Sequence, residues 1–204
     1  IMMGTHKLSD FTYEKKMQGF AIKEPVFSFD KFPGVNKELG PEMKSTGEVL
    51  GIDKSFNDAL VKAFIGAGTN IPNEGNVLIT VKDKDKKEIL PLAKKLQAKG
   101  FKIFATAGTS EYFKENGISS RILNKLSEGE DSIIHNIQSG KIRFIINTPT
   151  RGKEATRDGF KIRRIATECK IPCFTSIDTA SALIVAIENN KKEEDLEIVD
   201  ITKV

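Results

Sequence analysis

Residues 76–109, NVLITVKDKDKKEILPLAKKLQAKGFKIFATAGT, decide the fold of this chain. Val77–Val81 is an apolar run of the kind that fills a strand. From Lys86 to Lys99 the apolar residues recur at helical spacing. Ile89, Leu92, Ala93 and Leu96 mark one buried face, and Gly100 stops the helix. Asp85 and Glu88 have the spacing of a capping box, while Pro91 predicts a late start or a local kink. Phe101–Ala105 reads as a second strand, and Thr106-Ala107-Gly108-Thr109 turns the chain toward another helix. A strand, a helix and a strand in succession make a parallel pair with its crossover.

The same alternation continues toward the C-terminus. Ser110–Asn116 reads as a short helix, Ser120–Leu123 as a strand and Asp131–Ser139 as a helix that buries Ile133, Ile134 and Ile137. The strand Ile142–Ile146, a polar loop, a helix around Phe160–Cys169 and a short strand at Cys173–Thr175 follow. Asp178 is placed to cap a helix through Ile187, and Leu196–Ile201 finishes the chain. The predicted class is α/β, a doubly wound and mainly parallel sheet with helices on both faces. No internal repeat is visible.

Toward the N-terminus the character changes. IGAGTNIPNEG at Ile65–Gly75 concentrates Gly, Pro and Asn and marks a boundary, which divides the chain into residues 1–70 and 71–204. Phe20–Phe29 reads as a strand. Lys54–Ile65 reads as a helix capped by Asp53, with Phe56, Leu60, Ala63 and Phe64 on its apolar side. Between them, LGPEMKSTGEVLGI (Leu39–Ile52) is polar and Gly-punctuated, with tight turns expected at Gly40-Pro41 and Ser45-Thr46-Gly47. Residues 1–68 offer too few apolar segments to close a core alone. The start at Ile1, inside what reads as a helix, suggests a fragment of something longer, completing a domain whose beginning is absent.

Composition excludes several classes. With 39% hydrophobic and 29% charged residues the chain is an ordinary globular sequence. No apolar run approaches the roughly 20 residues of a membrane helix, and no export signal is visible, so a cytoplasmic protein is expected. Cys169 and Cys173 read as small buried thiols; they lack the further ligands a metal site needs. The formal charge is +4, and all of the excess lies in residues 71–204. With no Trp, two Tyr and no dense basic stripe, nucleic-acid binding is disfavoured. A pocket for one small anion remains compatible.

In wound α/β sheets ligands bind beyond the carboxyl ends of the strands. Those ends carry Thr80 with Lys82, Lys84 and Lys86, then Thr106, Gly108 and Thr109, then Lys125, then Asn147, Thr148 and Thr150. All are hydroxyl, amide or ammonium donors. The backbone N–H groups of Gly108 and Thr109, leading into a helix, complete an anion cradle. A T-x-G-T turn alone is usually a plain strand-to-helix turn, and Lys86 or Lys125 alone would be a solvated surface lysine. Micromolar binding requires about 8 kcal/mol, and charge-assisted hydrogen bonds contribute roughly 1.5–3 kcal/mol each. Several donors must therefore act together.

Leu39–Ile52 closely resembles the segment that ends the second ATP-grasp unit of the carbamoyl phosphate synthetase large chain. The likeness runs through FSFDKFPGVNKELG before it and, more loosely, from Gly75 to the end. It implies that residues 1–70 close the ATP-grasp unit and that 71–204 form a methylglyoxal-synthase-like regulatory domain. On that resemblance Lys86, Thr106, Thr109, Lys125, Asn147 and Thr148 surround the phosphate and ribose of an effector such as UMP or IMP. Thr80 stands where relatives carry Ser, and Pro149 replaces a hydroxyl residue, with Thr150 one step on. Glu24 and Thr175 match an ornithine site, but Phe174 replaces a carboxylate there, so ornithine control is not expected. The parent enzyme makes carbamoyl phosphate from glutamine-derived ammonia and bicarbonate for pyrimidine and arginine synthesis. It uses ATP and Mg²⁺ and works with a glutaminase small subunit. This stretch alone is not expected to catalyse that reaction or to hold a cofactor.

Methylglyoxal synthases share the fold, so a free-standing lyase is the competing reading. That chemistry needs a carboxylate base and a histidine for the enolate. NTPTRG follows the strand where the lyases carry Gly-Gly-Asp, Ala107 occupies the turn, and His6 and His135 lie away from the strand ends. No acid–base pair can be assembled. The polar stretch Thr148–Gly159 is the candidate lid over the effector, with a merely exposed loop as the equal alternative.

Overall fold

The computed structural model describes residues 1–11, 18–27, 43–124, 132–149 and 158–200. An antiparallel ribbon of β1 (Phe20–Val26) and β2 (Gly47–Asp53) is followed by α1 (Phe56–Gly66). A five-stranded sheet then forms from β3 (Asn76–Thr80), β4 (Lys102–Ala105), β5 (Ser120–Ile122), β6 (Ile142–Asn147) and β7 (Cys173–Phe174). Interleaved with the strands are α2 (Lys86–Ala98), α3 (Ala107–Glu115), α4 (Ile133–Gln138), α5 (Asp158–Glu168) and α6 (Ile177–Asn189). The strand order is β5-β4-β3-β6-β7, and every neighbouring pair is parallel. The chain winds one way from β3 to β5 and the other way through β6 and β7. The switch point of the topology therefore lies between β3 and β6.

Period-2 alternation sorts the two cores. Val77 and Ile79 of β3 point to a face covered by α1, α2, α3 and α6, where Leu60, Phe64, Ile89, Leu96, Phe113 and Leu183 are buried. Leu78 points to the opposite face, with Ile133 and Ile137 of α4 and Ile162 and Ala166 of α5. The expected α/β class with helices on both faces is what the chain forms. Among the described residues no helix is long and apolar enough to cross a membrane.

The differences from the sequence reading have local causes. Gly47–Asp53 is a strand, not a turn-rich loop: Thr46 donates its N–H to the Val26 carbonyl at 2.9 Å and Gly47 enters the ladder. Residues 39–42 lie outside the described residues, as does the far end of the strand expected to reach Phe29. Gly51 is required by packing, because a β-carbon there would stand 2.1 Å from the Ala59 carbonyl oxygen and 2.6 Å from the Ala63 nitrogen. The ribbon and α1 approach backbone to backbone at that point. Ser55, not Asp53, caps α1, accepting from Asp58 N–H at 3.4 Å. Asp53 instead accepts from Ser55 N–H at 3.1 Å and from Lys62 Nζ at 2.6 Å.

The capping box at Asp85 and Glu88 does not form. A 3-10 turn at Asp83–Asp85 runs straight into α2, so Asp85 is already helical and its carboxylate pairs with Lys82 at 3.4 Å. Pro91 sits within α2 without delaying its start. The cap of α6 is Ser176, which accepts from Thr179 N–H at 3.1 Å, with Asp178 in the first turn. Residues 1–5 form a turn where a helix was expected. The sequence boundary near residue 70 does not separate two cores. Leu60, Val61 and Phe64 of α1 belong to the same cluster as the sheet and α6.

Candidate functional site

The carboxyl ends of β3, β4 and β5 open into a cavity of about 420 Å³. Lys86, Thr106, Gly108 and Thr109 line it together. Lys86 is the first residue of α2, so the 3-10 turn before it fixes where its side chain departs. Its ammonium lies 3.8 Å from where a β-carbon on Gly108 would stand and 5.9 Å from the centre of the Tyr112 ring. The absent side chain at Gly108 leaves that approach open. Thr106 precedes α3 but makes no side-chain cap. Its hydroxyl donates instead to Thr109 Oγ1 at 3.4 Å, and both threonines are buried. The Thr109 N–H, expected in the cradle, instead donates to the Thr106 carbonyl at 3.0 Å. The helix start therefore presents the N–H groups of Ala107 and Gly108, and the helix dipole favours an anion there.

Three features of the cavity were not read from the sequence. Asp83 lines it, and its Oδ1 lies 2.8 Å from Lys86 Nζ. A carboxylate therefore stands among donors expected to be wholly neutral or cationic. The hydrogen bond and charge of Lys86 hold the Asp83 carboxyl below its ordinary value. The i, i+3 spacing of the pair was the available signal. Ile122, 53% exposed, gives the rim an apolar shelf above the buried Leu123. Asn124 closes the β5 side. Lys125, the next residue, lies outside the described residues, as do Thr150 and most of the lid segment Thr148–Gly159.

Thr80, Asn147 and Thr148 occupy the neighbouring corner, at the switch point. Thr80 and Asn147 are register partners across β3 and β6. The Thr80 carbonyl accepts from Thr148 N–H at 3.3 Å, and Thr148 Oγ1 accepts from Lys82 N–H at 3.0 Å. Asn147 is 2% exposed, and its Oδ1 accepts from Arg163 Nη1 at 2.6 Å. These three residues border the cavity's β3 side without lining the cavity itself.

Neither Glu24 nor Thr175 lines this cavity. Glu24 shares the half-buried face of β1 with Ile22 and Val26, where burial raises its pKa. Thr175 is exposed beyond β7. Beside it Phe174 is buried, edge-to-face with Phe64 at 6.4 Å and with Phe144 at 6.3 Å.

His6 and His135 are exposed, and neither lines the cavity. Cys169 and Cys173 are free, and burial pushes the Cys173 thiol up to about 12. Among the described residues no group of three His, Cys, Asp or Glu side chains could hold a metal ion.

Residues 88–175 match the MGS-like domain family. The chain is 50% identical over 173 residues to the carbamoyl phosphate synthase large chain, C-terminal section, of Methanopyrus kandleri, covering 85% of this chain and 32% of that protein. It is 43% identical over 202 residues to the carbamoyl phosphate synthase large chain of Lachnoclostridium phytofermentans, covering 97% of this chain and 19% of that one. The chain thus spans about a third or less of the curated relatives it matches. The crystal structure of methylglyoxal synthase from Elizabethkingia anophelis matches with a TM-score of 0.43 at 15% identity, covering 64% of this chain and 89% of that chain.

Proposed function

We propose that this chain, a relative of carbamoyl phosphate synthase large chains with an MGS-like domain, is the effector-binding part of such an enzyme. In this reading residues 1–70 end the second ATP-grasp unit and 71–204 bind a nucleoside monophosphate of the UMP or IMP type. Bound effector controls ATP-dependent carbamoyl phosphate synthesis elsewhere in the enzyme. ATP, Mg²⁺ and a glutaminase small subunit belong to that larger cytoplasmic assembly, which serves pyrimidine and arginine synthesis.

The observation that carries the reading is the meeting of the Lys86 ammonium with the open N-terminus of α3 at Gly108. A phosphoryl group set there gains an ammonium, backbone N–H groups and the helix dipole at once. The Thr106 and Thr109 hydroxyls supply further contacts, and Asn147 and Thr148 stand at the neighbouring corner; Lys125 and Thr150 join the site on the resemblance alone. Ile122 offers an apolar surface for the rest of a nucleotide.

Binding without turnover follows from the same chemistry. Asp83 is the one carboxylate among the described residues that line the cavity, and its bond to Lys86 makes it a poor proton acceptor. No imidazole lines the cavity to steady an enolate. Control reaches the ATP-grasp unit through α1, whose Phe64 shares a core with the sheet. An effector acts in this way only if it binds two states of the enzyme unequally.

Calorimetry on the 204-residue chain with UMP, IMP, ornithine, inorganic phosphate and dihydroxyacetone phosphate tests the reading. Saturable binding of UMP or IMP that Lys86→Ala weakens at least tenfold supports it. Conversion of dihydroxyacetone phosphate to methylglyoxal would replace it with the lyase. Nucleotide binding untouched by Lys86→Ala would mean that the cradle is elsewhere.

A further inference from the structure

Beyond the cradle, the corner at the end of β6 holds a guanidinium whose role nothing above explains. Arg163 projects from α5 and is half-buried, and it pairs with no carboxylate among the described residues. Its Nη1 donates to Asn147 Oδ1 at 2.6 Å, a short charge-assisted bond to a side chain 2% exposed. The start of α5 is kept bare at this spot. A β-carbon on Gly159 would stand 3.3 Å from Arg163 Nη1 and 3.6 Å from Asn147 Oδ1.

A carboxamide has two unlike ends: its oxygen only accepts and its nitrogen only donates. Left alone in a polar crevice, Asn147 could present either end. A guanidinium has donors and no acceptor, so it can hold only the oxygen. The N–H₂ end must then face away from Arg163. For an anion site this is the useful orientation, because the opposite one would turn a carbonyl oxygen toward a phosphoryl oxygen.

We infer that Arg163 is a positioning residue of the effector site: by holding the Asn147 oxygen it keeps the amide's N–H₂ end as the donor at the switch point between β3 and β6. The inference rests on the proposed anion-binding role of this corner and deepens it. Its chemistry selects ligands with acceptor oxygens at that point, the phosphoryl or hydroxyl groups of a sugar phosphate. Arg163 acts through Asn147. A lysine in its place keeps the positive charge but loses the planar fork that fixes the amide plane.

Two measurements on the 204-residue chain decide it. The first needs no ligand: side-chain amide resonances of Asn147 by ¹⁵N NMR in the wild type, R163K and R163M. Loss of the Arg163 bond should move both Asn147 N–H₂ signals and speed their exchange with water in R163M. Unmoved signals overturn the inference, whether or not any nucleotide binds. The second is UMP titration by calorimetry. R163M and R163K should each weaken binding about tenfold, the worth of one charge-assisted hydrogen bond. N147D, which replaces the donor end by an oxygen while leaving Arg163 an acceptor, should weaken it further. A full rescue by R163K would show that charge alone matters and overturn the positioning role. If R163M fails to fold, R163K and N147D carry the test. Failure of the wild type to bind UMP counts against the proposed effector, and the NMR arm still judges the orientation.

Discussion

Asn189, at the C-terminal end of α6, donates its side-chain amide to the Asp58 carboxylate of α1 at 3.0 Å, across 131 residues of chain. The other Asp58 oxygen lies 2.7 Å from Lys191 Nζ. The carboxylate thus bolts α1 to the last helix of the sheet domain. Removing the amide with Asn189→Ala should cost about 1 kcal/mol of stability, measured by urea denaturation of the two proteins side by side. The Asp58 hydrogen bond also raises the Lys191 pKa. A raised cation stabilises the fold fully below the ordinary lysine value and loses that contribution as pH climbs through its folded value. Lys191→Met should abolish this alkaline component of the stability profile.

Phe64 and Phe174 bring the two parts of the sequence into one hydrophobic cluster. We expect a single cooperative unfolding transition, with no separate melting of residues 1–70. Phe174→Ala removes a ring packed on both Phe64 and Phe144 and should cost about 3–5 kcal/mol. Two resolved transitions in the wild type by calorimetry would contradict the shared core.

Gly51 faces backbone atoms of α1, which cannot swing aside as a side chain can. Gly51→Ala should cost about 3 kcal/mol or more, whereas Gly47→Ala, with open space around its added methyl, should cost far less. Thermal melts of the pair make the comparison.

Asp83 occupies the Lys86 ammonium that an anion must engage. Asp83→Asn should tighten phosphate or UMP binding several-fold by removing a competing and repelling charge. The Asp83 pKa is lowered, so the competing charge persists to more acidic pH than an ordinary aspartate's and is lost as pH falls through that lowered value. Weaker binding by Asp83→Asn would instead mark Asp83 as a direct ligand contact.

The wound sheet was readable because its strands are short apolar runs separated by helices with clear buried faces, as at Ile89, Leu92, Ala93 and Leu96. β2 was hidden because its two glycines, Gly47 and Gly51, are signals of turns. Gly51 is there for a helix approach that only tertiary structure reveals. Caps misread at Asp53, Asp85 and Asp178 share one cause: a neighbouring lysine or serine claims the role or the carboxylate. Of the site, Lys86, Thr106, Gly108 and Thr109 were legible from the rule that strand ends converge. Asp83 was masked by lysines on both sides, and Arg163 lies on a helix after the strand ends, where no rule of convergence points.

α2 begins at the cavity with Lys86 and ends against α6, where Lys95 pairs with Glu188 at 2.9 Å and Lys99 Nζ donates to the Glu188 carbonyl at 3.4 Å. A helix of 13 residues is about 20 Å long and stiff. A phosphate held at Lys86, as proposed, would thus sit at the opposite tip of this rod from the Glu188 contacts. A few degrees of tilt about the Lys86 end would move the far tip by about 1–2 Å. That is a lever arm made of secondary structure alone.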